Sequence, residues 1–270
     1  MTASLHSWIP AICHAQSIEG WSAPVGFRAH LEQVANGSAA PESLISRSRD
    51  ESLQAAALLQ PRPKRFLRRM QSVPYEHPKF PVLRNLPGIT ADGPLRDFEA
   101  QASSIRMLAF LGNLRHSQGT MSRLGRITRP EQLLILHRYL FGDVYGWAGM
   151  KRTVGISKGG VEFANPDRIS RHLDRAAAAL AEHRFGSSPE HLAAFLAEYL
   201  WAHPFRDGNG RTATTILMSL TGPLPIQTIT ADQWFDASAA SLAARSEPDP
   251  EPWVPIVETL IQLQRQESIP

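Results

Sequence analysis

The sequence predicts a mainly α-helical bundle carrying one short β-hairpin. Three observations predict it. Helical periodicity sets in near Leu95 and continues through several segments. One stretch, Arg152 to Phe163, breaks that pattern with extended residues around glycines. A glycine-rich loop, His203 to Gly210, lies between two apolar-striped segments.

The first 95 of the 270 residues read as an N-terminal extension, proline-rich and poorly patterned. Pro61, Pro63, Pro74, Pro78, Pro81, Pro87 and Pro94 interrupt regular elements. A basic run from Pro61 to Arg69 reads foremost as a solvated linker, with a nucleic-acid, membrane-surface or localisation patch as the alternative. Residues 96–245 read as the main domain, and 246–270 as a C-terminal helical segment. Phe98, Ile105, Leu108 and Leu111 form the apolar face of a first helix that breaks near Gly112 to Gly119. Thr128 with Glu131 three residues on reads as a capping box, with Pro130 in the first turn. The body of that helix, Leu133 to Phe141, is apolar nearly all round and predicts burial.

Next comes the hairpin: Arg152 to Ser157, a turn at Lys158-Gly159-Gly160, and a return at Val161 to Phe163. Asn165-Pro166 opens a helix with Ile169, Leu173, Ala176 and Leu180 on one face. Ser188-Pro189 opens another, with Leu192, Phe195, Leu196, Tyr199 and Leu200 at i, i+3, i+4, i+7 and i+8. This helix runs into His203-Pro204-Phe205-Arg206-Asp207-Gly208-Asn209-Gly210-Arg211, and a further helix follows with Ile216, Leu217 and Leu220 apolar.

The bulk numbers exclude some classes. Hydrophobic residues make up 43% and charged residues 20%, enough for a real core. No apolar run approaches the roughly 20 residues of a membrane span. The N-terminus lacks a basic start and a continuous apolar stretch, so no secretory signal is expected. The single cysteine, Cys13, cannot form an internal disulfide and suits a reducing compartment. A net charge of +3 does not argue for nucleic acid as a partner. Gly155 and Gly160 have the glycine spacing of a Walker A loop, but Val161 stands where lysine is required. No zinc-type ligand spacing is present.

The glycine-rich loop carries the chemistry. Gly208, Asn209 and Gly210 can adopt conformations that converge successive N–H groups into an anion nest. The helix start behind them adds free N–H donors and a favourable dipole. Arg211 offers a planar fork for phosphate oxygens. Asp207, a lone carboxylate beside the nest, suits Mg²⁺, which binds through one or two carboxylates plus substrate phosphates. His203 can take a proton from an attacking hydroxyl. Phe205 is expected to point inward and anchor the loop.

His203 to Arg211 resembles the Fic (Fido) family signature H-P-F-x-D/E-G-N-G-R-x-x-R, and Leu136 to Gly149 and Arg152 to Phe163 resemble that family's preceding helix and its flap. The resemblance covers about residues 97–222 and implies a Fic-type helical bundle with a hairpin flap. It implies transfer of AMP from ATP to a serine, threonine or tyrosine hydroxyl of a target protein. His203 would be the general base and Asp207 the Mg²⁺ ligand. Gly208, Asn209, Gly210 and Arg211 would hold the phosphates, with Asn209 positioning the α-phosphoryl group. Ile156, Ser157, Lys158, Gly159 and Gly160 would dock the target by strand addition. An antitoxin or other inhibitory partner, and either a cytoplasmic location or injection into a host cell as an effector, fit the family. The sequence departs from the pattern at Thr214, where the second arginine belongs. This keeps other donors open (UMP, GMP, phosphocholine or phosphate), as well as a catalytically silent peptide-binding module. The family's inhibitory segment, S/T-x-x-x-E-G/N, has its nearest counterpart at Ala15 to Gly20, with Glu19 as its glutamate and alanine in place of the hydroxyl residue.

Overall fold

A computed structural model gives the architecture and describes residues 4–64, 74–116, 127–158, 161–183, 188–223, 225–243 and 247–267. Ten α-helices are found among them: α1 Trp8–Ile18, α2 Phe27–Ala35, α3 Pro41–Leu59, α4 Asp92–His116, α5 Pro130–Phe141, α6 Ile169–Glu182, α7 Glu190–Ala202, α8 Asn209–Thr221, α9 Ala231–Ser241 and α10 Val254–Glu267. Two short antiparallel strands, β1 Ser157–Lys158 and β2 Val161–Glu162, pair Ser157 with Glu162 and Lys158 with Val161. The mainly α bundle with a hairpin is therefore what the chain forms. No described helix is long and apolar enough to cross a membrane.

The core runs through the whole bundle. Ile169, Leu173, Ala176 and Leu180 on α6 are buried, as are Leu192, Phe195, Leu196, Tyr199 and Leu200 on α7. These two helices pack along one another. The hairpin is shorter than its sequence suggested. Only two residues per strand pair, extended by Phe163 N–H donating to the Ile156 carbonyl at 3.2 Å.

Three local expectations change. Helix α5 begins after Arg129, and its cap is Gln132, not Glu131. The Gln132 Oε1 accepts from the N–H groups of Thr128 at 2.8 Å and Arg129 at 3.0 Å. Ile135 on the same helix is 50% exposed, so α5 has an outer face despite its apolar sequence. Helix α4 continues through Gly112 to His116, and the Leu5 side chain packs against Gly112, where a Cβ would meet it at 2.9 Å.

The largest difference lies in the N-terminal stretch. Residues 8–59 form three helices that join the common core through Trp8, Ile9, Ile12, Phe27, Leu31, Leu44 and Ile45. The prolines that suggested an unpatterned extension cluster after α3, between Pro61 and Pro94. Pro41 sits at the start of α3 and Pro10 in the first turn of α1, where a missing N–H costs nothing. Of the basic run, Arg62 and Lys64 are described, and Lys64 pairs with Glu76 at 2.6 Å; residues 65–69 lie outside the described residues.

Polar contacts fix α1 on α4. The buried Gln16 donates to Ser103 Oγ at 3.0 Å and Ser104 Oγ at 2.9 Å, and Trp21 Nε1 donates to Asp97 at 2.9 Å. These two anchors flank Glu19 and set where it lies.

Candidate active site

His203 caps the end of α7 with φ +40°, a left-handed conformation uncommon for a non-glycine residue. The turn is over-determined by its surroundings. The His203 N–H bonds the Tyr199 carbonyl at 3.0 Å. Arg152, buried, donates through Nε to the His203 carbonyl at 2.7 Å and through Nη2 to the carbonyls of Ala164 and, at 3.1 Å, Ala202. Its Nη1 reaches the Val154 carbonyl at 2.6 Å. One guanidinium thus ties the base of the flap to the carbonyl end of α7, where the helix dipole favours a cation. Burial lowers its pKa to about 10, which leaves it charged at neutral pH.

The His203 ring stacks on Phe163 at 3.8 Å and 21°. Its Nδ1 lies 3.2 Å from the Leu200 carbonyl. A carbonyl only accepts, so Nδ1 carries the proton in the neutral ring and Nε2 keeps its lone pair. Desolvation above all drives the pKa of His203 well below the ordinary value, against the opposing Leu200 carbonyl, and the charges of Arg152 and Lys158 push the same way.

The loop that follows is clipped from inside. Phe205 is fully buried and stacks on His137 at 3.6 Å and 20°. Both ends of the Asn209 amide bond the Phe205 backbone, accepting from its N–H at 3.0 Å and donating to its carbonyl at 2.9 Å. The Asn209 side chain is therefore spent on loop shape, and its backbone is what it offers the nest. Gly208 has φ +80° and heads α8. A Cβ there would also strike Phe141 at 2.6 Å, so both conformation and space require glycine.

His137, on α5, is fully buried. Its Nδ1 accepts from the Gly149 N–H at 2.9 Å, so Nε2 carries the proton and donates to the Asp207 carbonyl at 2.9 Å. Asp207 Oδ1 accepts from the Gly208 N–H at 2.7 Å and lies 3.2 Å from Arg211 Nη2. The same Nη2 bonds the buried Glu99 of α4, whose second oxygen accepts from Tyr145 Oη. Arg211 also lies over the Phe141 ring at 4.8 Å. Its guanidinium is thus turned inward and held by Glu99 and Asp207. Burial raises the pKa of Glu99, opposed by Arg211. Asp207 keeps its side chain 43% exposed.

Of the residues expected at the site, the structure brings His203, Asp207, Gly208, Asn209, Gly210 and Arg211 together at the start of α8. Ile156, Ser157 and Lys158 lie on the adjoining flap; Gly159 and Gly160 lie outside the described residues. Thr214 is buried and its hydroxyl turns back to the Arg211 carbonyl at 3.1 Å. Glu19 stands over the nest: a Cβ built on Gly210 would lie 1.8 Å from Glu19 Oε1. His137, Glu99, Tyr145 and Arg152 were not singled out in the sequence. A histidine and an arginine on either side of Trp147-Ala148-Gly149 were the available signal, but only packing reveals what they hold.

A groove of about 1300 Å³ opens beside the site between the flap and α9, lined by Ile156, Val161, Phe163, Trp201, Ala239 and Leu242 among others. Phe163 connects it to His203. Elsewhere, His172, Glu198 and Glu247 bring three ligand-type atoms within 4.8 Å of one another. Arg175 bonds both carboxylates, at 3.3 and 2.6 Å, so this cluster is an ion-pair network.

Residues 127–220 match the Fic/DOC family. A probable protein adenylyltransferase of Sinorhizobium fredii is 42% identical over 93 residues, which are 32% of this chain and 48% of that protein. The protein adenylyltransferase VbhT of Bartonella schoenbuchensis is 31% identical over 153 residues, 54% of this chain and 30% of the relative. The chain thus spans about half the length of the first and under a third of the second. Among solved structures, the N-terminal Fic domain of a Bartonella effector superposes with a TM-score of 0.55 at 19% identity, covering 68% of this chain and 89% of that domain.

Proposed function

From the match of residues 127–220 to the Fic/DOC family, we propose that this chain transfers AMP from ATP to a serine, threonine or tyrosine hydroxyl of a target protein. One observation carries the reading: a base with a set lone pair, His203 Nε2, and an anion nest stand on the same loop at the start of α8. The names of the relatives as adenylyltransferases support it.

The phosphates rest on the backbone of Asn209 and Gly210 and on the positive end of the α8 dipole, while the Gly208 N–H is given to Asp207. The target hydroxyl gives its proton to His203 Nε2 as its oxygen attacks the α-phosphorus. The bond to pyrophosphate breaks, and pyrophosphate leaves with the electron pair. Asp207 fits a Mg²⁺ ligand: it is a partly exposed oxygen donor beside the nest, oriented by Gly208 and Arg211. Bound there, Mg²⁺ would neutralise charge on the phosphates. Arg211 contributes by orienting Asp207 and by its positive field, since its guanidinium is held on Glu99. The flap residues Ile156 to Gly160 dock the target as an added strand. Catalysis on this reading is positioning and charge stabilisation.

Thr214 keeps the donor open to UMP, GMP, phosphocholine or phosphate in place of AMP. The position of Glu19 favours a restrained resting state in which its carboxylate occupies the phosphate place.

The test is labelling of target-containing lysate with α-³²P-ATP and Mg²⁺, comparing the parent chain with His203→Ala. The expected outcome is label that His203→Ala abolishes while its circular dichroism stays unchanged. Full labelling by His203→Ala sinks the proposal. Label from another nucleotide alone moves the assignment to that donor.

A further inference from the structure

A carboxylate stands against Gly210 at the start of α8, and it has a cationic partner. Glu19 Oε1 lies against Gly210, and Glu19 Oε2 lies 3.7 Å from the ammonium of Lys158 on β1. Arg211 feels the Glu19 charge, but no ion pair joins their side chains among the described contacts. Arg211 is buried on Glu99 and Asp207, and position 214 holds a threonine whose hydroxyl bonds its own helix. Lys158 is 61% exposed, and its Nζ also lies 5.0 Å from the ring of Phe235 on α9. It is thus an exposed charge resting between α1, the flap and α9, and its field reaches His203.

Carboxylate and phosphate oxygens ask for the same donors. A polyphosphate entering the nest must displace the Glu19 carboxylate, and it then stands where that carboxylate met the ammonium. We infer that Lys158 is a phosphate-binding residue of the donor site, passing from Glu19 to the polyphosphate and supplying the cation that Thr214 cannot. A lysine suits this exchange, because its ammonium is a compact charge on a long flexible stem and needs no fixed fork geometry. Its place on β1 also links donor occupancy to the strand that would receive the target. The inference rests on the donor being a nucleotide with its phosphates in the nest.

The experiment is calorimetric titration of Mg·ATP and of AMP into five forms of the chain: parent, Glu19→Ala, Lys158→Met, the Glu19→Ala/Lys158→Met pair and the Glu19→Ala/Lys158→Arg pair. Glu19→Ala is expected to tighten Mg·ATP binding by freeing the nest. Adding Lys158→Met to it should weaken Mg·ATP by about tenfold or more and leave AMP within about twofold. Lys158→Arg in the Glu19→Ala background should retain most of the affinity. Equal Mg·ATP affinity with and without Lys158 overturns the assignment while leaving the transferase reading intact. Equal loss of ATP and AMP affinity also overturns it, since that marks a general effect on the flap. If Glu19→Ala binds neither nucleotide, the transferase reading fails and this inference with it.

Discussion

His203 shows how much a single side chain depends on neighbours remote in sequence. Its backbone sits in a left-handed turn that costs a non-glycine residue about 1–2 kcal/mol. Arg152 and the end of α7 hold that turn closed. Desolvation foremost, with the charges of Arg152 and Lys158, keeps the ring neutral well below the ordinary histidine value. On the proposed mechanism the neutral form is the base, and it is lost only as pH falls through the lowered pKa. The acid limb of the labelling rate should therefore lie below the usual histidine value of 6.5, with labelling persisting at pH values where an ordinary histidine is mostly charged. A limb at or above that value, in a profile taken at saturating Mg²⁺, would contradict this description of the base.

At the level of elements, the loop is built by α4 and α5 as much as by the helices it joins. Helix α5 presents His137 to the Asp207 carbonyl, and α4 presents Glu99 to Arg211. The Glu99–Arg211 pair is buried, so removing Glu99 leaves the Arg211 charge with only the partly exposed Asp207 to compensate it. Glu99→Ala is expected to cost about 3–5 kcal/mol in urea unfolding. Glu99→Gln keeps a hydrogen-bond acceptor and should cost less. Both should raise the Mg²⁺ concentration needed for half-maximal labelling, because Asp207 loses the orientation that Arg211 gives it. A Glu99→Ala variant as stable as the parent would show that the clamp is incidental. Helix α1 reaches the same site from another side: Gln16 and Trp21 dock it on α4, and Glu19 meets Gly210.

On the scale of the whole molecule, the family match at residues 127–220 is smaller than the folding unit. The core passes without a break from Trp8 and Ile12 on α1, through Phe98 and Leu108 on α4, to Phe205 on the loop and Trp253 before α10. Cutting the chain to 127–220 would strip the apolar cover from α5 and α8 and remove Glu99 from beneath Arg211. That fragment should show no cooperative thermal transition and no fixed near-ultraviolet signal, while the full chain shows both. A cooperative transition in the fragment would show that the N-terminal helices are an accessory layer.

The sequence alone determined the mainly helical class, the hairpin and the loop that forms the candidate site. Each of these is written locally. The stripe of α7 lies in its own five apolar positions, and the nest lies in Gly208, Asn209 and Gly210, where conformational freedom and chain proximity come together. Three matters were decided only by tertiary structure. The helices of residues 8–59 were not legible, because α1 is apolar on nearly every side and the prolines beyond α3 masked the pattern before it. The role of Arg211 was not legible either, because an arginine beside a phosphate nest and an arginine over a buried glutamate look the same until α4 is packed beneath it. The meeting of Glu19 with Lys158 joins residues 139 positions apart. Local pattern fixes which groups a segment presents, and long-range burial fixes what those groups face.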